Sequence, residues 1–309
     1  MCAIVEDRTA GDPMRADVVW TDRTPKEIQE RLAEKDIAVG LDVIRDVLAS
    51  QGYRKRKMSK YLDMGAHADR DAQFVNLTRI RAEYLGTGDP VLSIDTKKRE
   101  LLGTFYRDGR VYTRQPIRAL DHDFPSHADG VVVPYGVYDV GRNLGYVNLG
   151  TSRDTSAFAC DSVGWWWDQF GRRLYPGSRR ALLLCDGGGS NSATKYLFKE
   201  DLQNLSDRLG LELRVGHYPP YCSKYNPIER RMFGHVTRAC QGVLFDSVET
   251  VKRLVEKTRT EAGLCVAVGV SEKVYEVGRK YTDGFKDEMK IVFDDHLPKW
   301  NYRAVPTRL

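Results

Sequence analysis

The sequence predicts an α/β protein whose main domain is a mixed β-sheet flanked by helices. Two short apolar runs, Val91–Ile94 and Ala181–Cys185, are each followed by an aspartate and have the length of buried strands. Along this part of the chain, strand patterns come first and then alternate with helical patterns. That order is typical of a sheet that combines antiparallel and parallel strands.

The composition is that of an ordinary globular protein and excludes several classes. The 309 residues are 41% hydrophobic and 29% charged, which suits one larger domain with a smaller companion. A net charge of +5 permits a nucleic-acid partner without requiring one. No apolar run reaches the length of a membrane helix, and no signal-peptide pattern opens the chain. Six scattered cysteines without a CxxC motif predict reduced thiols in a cytosolic protein.

The first sixty residues predict a tail followed by a small helical module. Residues 1–20 mix charges without periodicity, and we expect them to be a disordered tail. Within residues 21–60, Thr24 and Glu27 form a capping-box pattern before a first helix, and an apolar face that includes Leu41 and Ile44 marks a second helix. Two short helices across a tight turn are compatible with a helix-turn-helix DNA-binding module.

A basic run follows the second helix. Arg54, Lys55, Arg56 and Lys57 are consecutive, and such a run can neutralise DNA phosphates. The alternative is a helical hairpin whose charges are simply solvated. Acidic residues on the second helix, including Asp42, argue against close contact with DNA there. DNA binding by the basic run is the favoured interpretation.

The rest of the chain divides into three predicted parts. Residues 61–90 contain a connecting helix, residues 91–245 form the catalytic domain, and residues 246–309 form a helical C-terminal extension. In the catalytic domain we expect strands over 91–94, 101–106, 131–140, 144–149, 181–185 and 211–217, and helices over 155–173 and 192–209. A further helix begins near Glu229.

Three acidic residues are the candidate catalytic groups. Asp95 and Asp186 each follow a predicted strand, and Glu229 lies on the helix after the last strand of the domain. Carboxylate oxygens are the ligands that Mg²⁺ prefers, and a pair of such ions can promote phosphoryl transfer. Each residue also has a simpler interpretation, because Asp is common in turns and Glu229 could cap its own helix together with Asn226.

Three segments that carry these acids resemble known motifs. They read SIDTKK over 93–98, DGGGSN over 186–191 and PPYCSKYNPIE over 219–229. They are similar to the Asp-Asp-Glu motifs of DDE transposases from bacterial insertion sequences, and most of all to the Rhodopirellula-type family, which is related to the mariner superfamily. The resemblance covers residues 23–305. It departs from the family pattern where Tyr221 and Cys222 replace the usual Gly-Thr.

The resemblance implies a fold, a reaction and its partners. The fold would be RNase H-like, and Asp95, Asp186 and Glu229 would hold two Mg²⁺ ions, with Mn²⁺ as a substitute. The reaction would be DNA strand cleavage and strand transfer of an insertion sequence. Its partners would be DNA, as terminal inverted repeats and target DNA, and further copies of the chain assembled on that DNA.

Further residues are expected to serve the site. The residues expected to support its structure are Gly187, Gly188, Asn191 and Asn226. Lys97 and Lys98 follow Asp95 directly and are candidates for contact with DNA phosphate.

Other functions remain open from the sequence. The glycine-rich segment could cradle a nucleotide, but it lacks the GxxxxGK[ST] pattern of a P-loop. A second alternative is a catalytically silent or truncated transposase-derived DNA-binding protein. A third is an RNase H-like nuclease that cuts nucleic acid without strand transfer.

Overall fold

The structure is a computed structural model that describes residues 9–12, 15–21, 23–55 and 67–307. The chain divides into two compact units, Met1–Leu62 and Asp63–Leu309. No helix in the described ranges is long and apolar enough to cross a membrane.

The first unit contains a β-hairpin and a pair of helices. Strands β1 (Thr9–Asp12) and β2 (Arg15–Thr21) pair antiparallel, where the sequence analysis expects a disordered tail. Helices α1 (Pro25–Ala33) and α2 (Leu41–Ser50) follow. The two helices pack through the side chains of Ile28, Leu32 and Ile44.

Local signals in this unit behave as the sequence predicts. The Thr24 side chain accepts a hydrogen bond from the backbone N–H of Glu27, and the Glu27 carboxylate accepts one from the backbone N–H of Thr24, so the capping box is confirmed. Arg54 and Lys55 are exposed after α2, whereas Arg56 and Lys57 lie outside the described residues. The helix pair is present, and a helix-turn-helix role for it stays a prediction.

The second unit begins with helix α3 (Arg70–Gly86), the helix expected to connect the two modules. Its Leu77, Ile80 and Tyr84 side chains are buried against the sheet. The strands that follow are β3 (Val91–Thr96), β4 (Glu100–Leu102), β5 (Gly130–Asp139), β6 (Leu144–Gly150), β7 (Arg180–Cys185) and β8 (Glu212–His217). The main helices between them are α4 (Ser156–Trp166), which continues through a π-helical segment (Trp167–Gly171) into α5 (Arg172–Leu174), and α6 (Tyr196–Leu209).

Beyond β8 the chain forms a helix that starts with a π-helical segment (Glu229–Phe233) and continues as α7 (Gly234–Ala239). Helix α8 (Val248–Glu256), strand β9 (Cys265–Ser271), helix α9 (Phe285–Glu288) and strands β10 (Ile291–Phe293) and β11 (Asn301–Ala304) complete the unit. From the sequence, a helical extension is predicted after residue 246. In the structure this part of the chain instead contributes strands β9, β10 and β11 to the sheet.

The physical reason for this difference lies in residues 265–271. The segment CVAVGVS is rich in Val, whose branched side chain packs well on a pleated surface. It pairs in parallel with β6 along its whole length. Tertiary pairing therefore determines the structure of this segment, which periodicity alone does not show.

The described strands of the second unit form one mixed sheet in the order β10-β11-β8-β7-β3-β5-β6-β9, with β4 paired to β5. Strands β3, β7 and β8 run parallel, and β5 and β6 extend the sheet antiparallel on the other side of β3. Hydrophobic cores cover both faces. This arrangement confirms the RNase H-like mixed sheet that the resemblance implies, and it places β3 and β7 side by side at the centre.

Candidate active site

The central strands bring Asp95 and Asp186 to the same place. Strands β3 and β7 pair in parallel, and the last partners in the ladder are Ser93 and Leu184. Each aspartate lies two residues further along its strand, so both side chains point to the face that contains Ser93 and Leu184. The prediction that the two aspartates lie on neighbouring strands is confirmed.

The helix that carries Glu229 is fastened to β3 by two buried polar side chains. Ser93 donates a hydrogen bond from Oγ to Oδ1 of Asn226 and accepts one from the backbone N–H of Ile228 at 2.9 Å. Asn226 also donates from Nδ2 to the carbonyl oxygen of Ile94 at 3.2 Å. Ser93 and Asn226 are fully buried, so these bonds fix the start of the helix relative to Asp95.

Glu229 points toward the aspartates and does not cap its own helix. Both Asp186 and Asp95 influence the pKa of Glu229, so its carboxyl lies near theirs. The Asn226 side chain is engaged by β3, so the capping arrangement considered from the sequence is not formed. Glu229 also opens a π-helical segment, a geometry often found at functional sites.

Two glycines let this helix lie close to the sheet. A Cβ at Gly136, the register partner of Asp95 on β5, would come within 2.6–2.8 Å of Phe233, Ile228 and Met232. A Cβ at Gly145 would lie 2.6 Å from Sδ of Met232. Any larger residue would push the helix, and Glu229 with it, away from the aspartates.

The electrostatics show three carboxyl groups that disfavour each other's charge. Burial, followed by the nearby charge of Asp186, raises the pKa of Asp95 to about 8. Burial also raises the pKa of Asp186 and of Glu229, and the charge of Asp186 adds to the effect at Glu229. In the described residues, no ion pair with Lys or Arg involves any of the three.

Sequence reasoning missed a fourth acidic residue, Asp154. Its charge raises the pKa of both Asp95 and Asp186, so its carboxylate faces them. It accepts a hydrogen bond from Thr96 Oγ1 at 3.1 Å and another from Ser190. Burial raises the pKa of Asp154 itself. It lies in the polar loop between β6 and α4, which carries no periodic signal that could have identified it.

The glycine-rich turn after Asp186 supports the site in a more specific way than the sequence indicates. Gly189 has a φ of +58° and needs the freedom of glycine. Gly188 contributes its backbone N–H, which donates to the Asp186 carboxylate, and the Gly187 carbonyl accepts from the N–H of Ala193. A Cβ would meet nothing within 4 Å at Gly188. Asn191 is buried and accepts a hydrogen bond from Tyr135 at 2.9 Å.

The candidate phosphate contacts lie beside the carboxylates but differ from each other. Lys97 forms an ion pair with Glu100 at 2.9 Å and is largely shielded from solvent. Lys98 is exposed, and together with Arg99 and Arg153 it lines a cavity of about 360 Å³ that reaches Asp154. These positions are compatible with phosphate contact, and that role stays a prediction.

A larger cavity of about 920 Å³ also reaches Asp154. Its lining includes Ser190 and the first residues of α4 and α6, with Lys195 and Lys280 among the cations. The two cavities therefore meet at Asp154 and Val277.

The donor set is suitable for Mg²⁺, although the side chains are not arranged around an ion. Across the described ranges, no group of three or more His, Cys, Asp or Glu side chains is set up to hold a metal. Asp95, Asp186 and Glu229 offer only carboxylate oxygen, and none of them forms an ion pair with a Lys or Arg of the described residues. Burial and the charge of Asp186 raise the pKa of Asp95, and a bound cation would favour its charged form instead.

Comparison with known protein families gives one match. A family profile described as the Rhodopirellula transposase DDE domain matches residues 1–306. A comparison with curated proteins finds no match.

Among solved structures, the chain is similar to two complexes of the Mos1 transposase. The paired-end complex with left transposon end is 16% identical, with a TM-score of 0.46 over 80% of this chain and 72% of that one. The mariner Mos1 paired-end complex with Mg is 17% identical, with a TM-score of 0.47 over 76% and 70% of the two chains.

Proposed function

Because the chain belongs to the family of the Rhodopirellula transposase DDE domain, we propose that this transposase cleaves DNA strands at the ends of an insertion sequence and joins them to target DNA. Asp95, Asp186 and Glu229 are the catalytic residues of the proposed reaction. The observation that carries the proposal is their convergence at one edge of the sheet, where none of them forms an ion pair with a Lys or Arg of the described residues.

The three carboxylates are the proposed ligands of two Mg²⁺ ions, for which Mn²⁺ would substitute. Bound there, the metal pair would polarise the scissile phosphate and activate the attacking oxygen. The protein's part is to hold the ligands in place, above all Asp95 and Glu229. The Ser93–Asn226 hydrogen bonds and the close approach at Gly136 keep these two carboxyl groups together.

The proposed path for DNA follows the two cavities that meet at Asp154. Lys98, Arg99 and Arg153 line the smaller cavity, and Lys195 and Lys280 line the larger one. Cations in both cavities would neutralise phosphates that flank the scissile bond. We infer that the terminal inverted repeat and the target DNA bind here in turn, with further copies of the chain assembled on the same DNA.

The test is cleavage and joining of a duplex that carries the element's own terminal repeat, in the presence of Mg²⁺ or Mn²⁺. We expect Asp95→Asn, Asp186→Asn and Glu229→Gln each to lower the rate by about 100-fold or more, because each removes a charged ligand. Asp121→Asn, at an exposed acid, is the control. Full activity in Asp186→Asn would refute the assignment. Cleavage without joining would identify a nuclease, and binding without cleavage a silent DNA-binding protein.

A second test addresses the basic run after α2. If Arg54, Lys55, Arg56 and Lys57 contact the DNA backbone, replacing all four with alanine should flatten the slope of log affinity against log salt by about 2–4. The measurement is a fluorescence-anisotropy titration at several salt concentrations. An unchanged slope would place the DNA interface elsewhere.

A further inference from the structure

A buried histidine lies directly behind Asp186. His217 is the last residue of β8 and the register partner of Cys185, so its ring lies beside the point where Asp186 leaves the sheet. Nδ1 of His217 is 3.0 Å from the carbonyl oxygen of Asp186, and Nε2 is 2.9 Å from the hydroxyl of Tyr302 on β11. His217 and Tyr302 are both fully buried.

The two contacts determine which ring nitrogen carries the proton. A carbonyl oxygen can only accept, so Nδ1 must donate to Asp186. The ring is fully buried and contacts no carboxylate oxygen among the described residues, so its neutral form is favoured and Nε2 accepts from the Tyr302 hydroxyl. Sγ of Cys185, 3.4 Å from Nδ1, is a weaker acceptor for the same proton.

Tyr302 is itself held in place from several sides. Its strand β11 pairs with β8, and the backbone N–H of His217 donates to the carbonyl of Trp300 at 2.9 Å. The ammonium group of Lys199 lies 4.6 Å from the centre of the Tyr302 ring and donates to the carbonyl of Ala193 at 2.6 Å. The N–H of Ala193 in turn donates to the carbonyl of Gly187. Lys199 therefore links the Tyr302 ring to the turn that follows Asp186.

We propose that His217 and Tyr302 are positioning residues for Asp186, through a chain of hydrogen bonds from the Tyr302 hydroxyl through the imidazole to the Asp186 carbonyl. The inference rests on the proposed function, since it assumes that the Asp186 carboxylate binds a divalent cation. Holding the carbonyl fixes the backbone from which that carboxylate projects. Groups that orient a metal ligand in this way affect metal affinity without touching the ion.

The test uses variants that keep or remove one hydrogen bond at a time. Tyr302→Phe removes only the hydroxyl. His217→Asn keeps an amide N–H near the position of Nδ1, whereas His217→Gln places its amide near Nε2. Tyr84→Phe is the matched control, because the Tyr84 hydroxyl is buried and has no hydrogen-bond partner in the described residues.

The measurement is calorimetric titration of Mn²⁺ into the full chain without DNA. We expect Tyr302→Phe and His217→Gln to weaken Mn²⁺ binding about tenfold, and His217→Asn and Tyr84→Phe to stay within about threefold of the wild type. Nitrogen-15 spectra of the metal-free protein should show the Nδ1–H tautomer of His217 in the wild type and a shift toward Nε2–H in Tyr302→Phe. The rescue by asparagine separates positioning from a general loss of packing.

Asp186→Asn separates this inference from the proposed function. If Asp186→Asn weakens Mn²⁺ binding while Tyr302→Phe and His217→Gln do not, the positioning role is overturned and the metal site stands. If Asp186→Asn has no effect either, the metal site itself is refuted and the positioning role fails with it. An Nε2–H tautomer in the wild type would overturn the inference directly.

Discussion

Strand β3 has an acidic residue near each end, and the two have opposite surroundings. Just before the strand, burial raises the pKa of Asp89, but hydrogen bonds from Ser178, Thr87 and Arg180 outweigh it and hold the pKa below its ordinary value. Near the other end, burial and the charge of Asp186 raise the pKa of Asp95 to about 8. The protein supplies its own cation at one end only. Uncompensated charge at the other end costs stability, which is typical of a site whose counter-ion is a ligand.

The largest expected effect is on stability as a function of pH. Without metal, the pKa of Asp95 in the folded protein is about 8, well above the ordinary value of 3.8 that applies to the unfolded chain. The contribution of Asp95 to the free energy of unfolding is therefore fully present below about pH 4 and is lost as pH rises through about 8. We expect the wild type to lose on the order of 3 kcal/mol from this group between pH 6 and pH 9.

Urea unfolding of wild type and Asp95→Asn, with a chelator present, measures this loss. The free energy of unfolding of Asp95→Asn should depend less on pH and should exceed that of the wild type at pH 9. Saturating Mg²⁺ should restore the stability of the wild type at that pH. The comparison between the two strand ends breaks down if Asp95→Asn is no more stable than the wild type at pH 9.

The next effect concerns how the carboxylates are held together. Gly136→Ala places a methyl group within 2.6–2.8 Å of three side chains on the Glu229 helix, and we expect it to cost about 1–3 kcal/mol of unfolding free energy. Gly130→Ala, on the same strand, meets only a leucine methyl at 3.3 Å and is the control. Cleavage should fall more in Gly136→Ala than its stability alone explains. Equal activity of the two variants at a temperature where both are folded would contradict this.

A smaller effect on stability is expected at Asp89, where the strand end carries an ion pair. Arg180 Nε donates to Asp89 at 2.7 Å, and both side chains are partly exposed, so Asp89→Asn should cost about 1 kcal/mol. Because the folded-state pKa of Asp89 is lowered, its contribution is present at neutral pH and is lost as pH falls through that pKa. Unfolding measured at pH 7 and at pH 3 shows this. A large drop in DNA cleavage by Asp89→Asn would mean that the two ends are not independent.

The smallest effect is a gain in stability. A residue near each of the two acids has a left-handed backbone conformation. Near Asp89 it is a glycine, Gly88, with a φ of +75°, whereas in the segment before Glu229 it is Tyr221, with a φ of +61°. Glycine adopts this backbone conformation without the steric cost of a Cβ. We expect Tyr221→Gly to stabilise the fold by about 0.5–1 kcal/mol, since relief of strain exceeds the added freedom of the unfolded chain. Thermal unfolding would detect this, and a lower midpoint would refute it.

Strands β3 and β7 were predictable because the sequence signals that mark them are local. Asp95 and Asp186 follow short apolar runs, and each run is the length of a buried strand. Glu229 could be identified from the sequence, but the direction of its side chain could not be predicted. A helix-capping residue and a metal ligand have the same sequence pattern there. Only the bonds from Ser93 to Asn226 and Ile228 decide between them, and those join residues far apart in the chain.

Other features had no local signal. Asp154 lies in a polar loop, and His217 ends a strand that also contains Glu212 and Arg214, so its polarity does not single it out. The Val-rich segment of β9 does favour a strand, but its pairing with β6 and the pairing of β11 with β8 join distant parts of the chain and have no local signal. Gly136 looks like a weak point in a strand until the helix that crosses it is known.

The position of β11 has a consequence for how the protein is made. This strand pairs with β8 and lies between it and β10, yet it is translated long after β8. At roughly 5–20 residues per second, β8 remains an open sheet edge for several seconds of synthesis, with Tyr302 not yet made. An open edge can pair with another nascent chain. Growth temperature and translation speed should therefore strongly affect the yield of folded protein, even for variants whose final stability is unchanged.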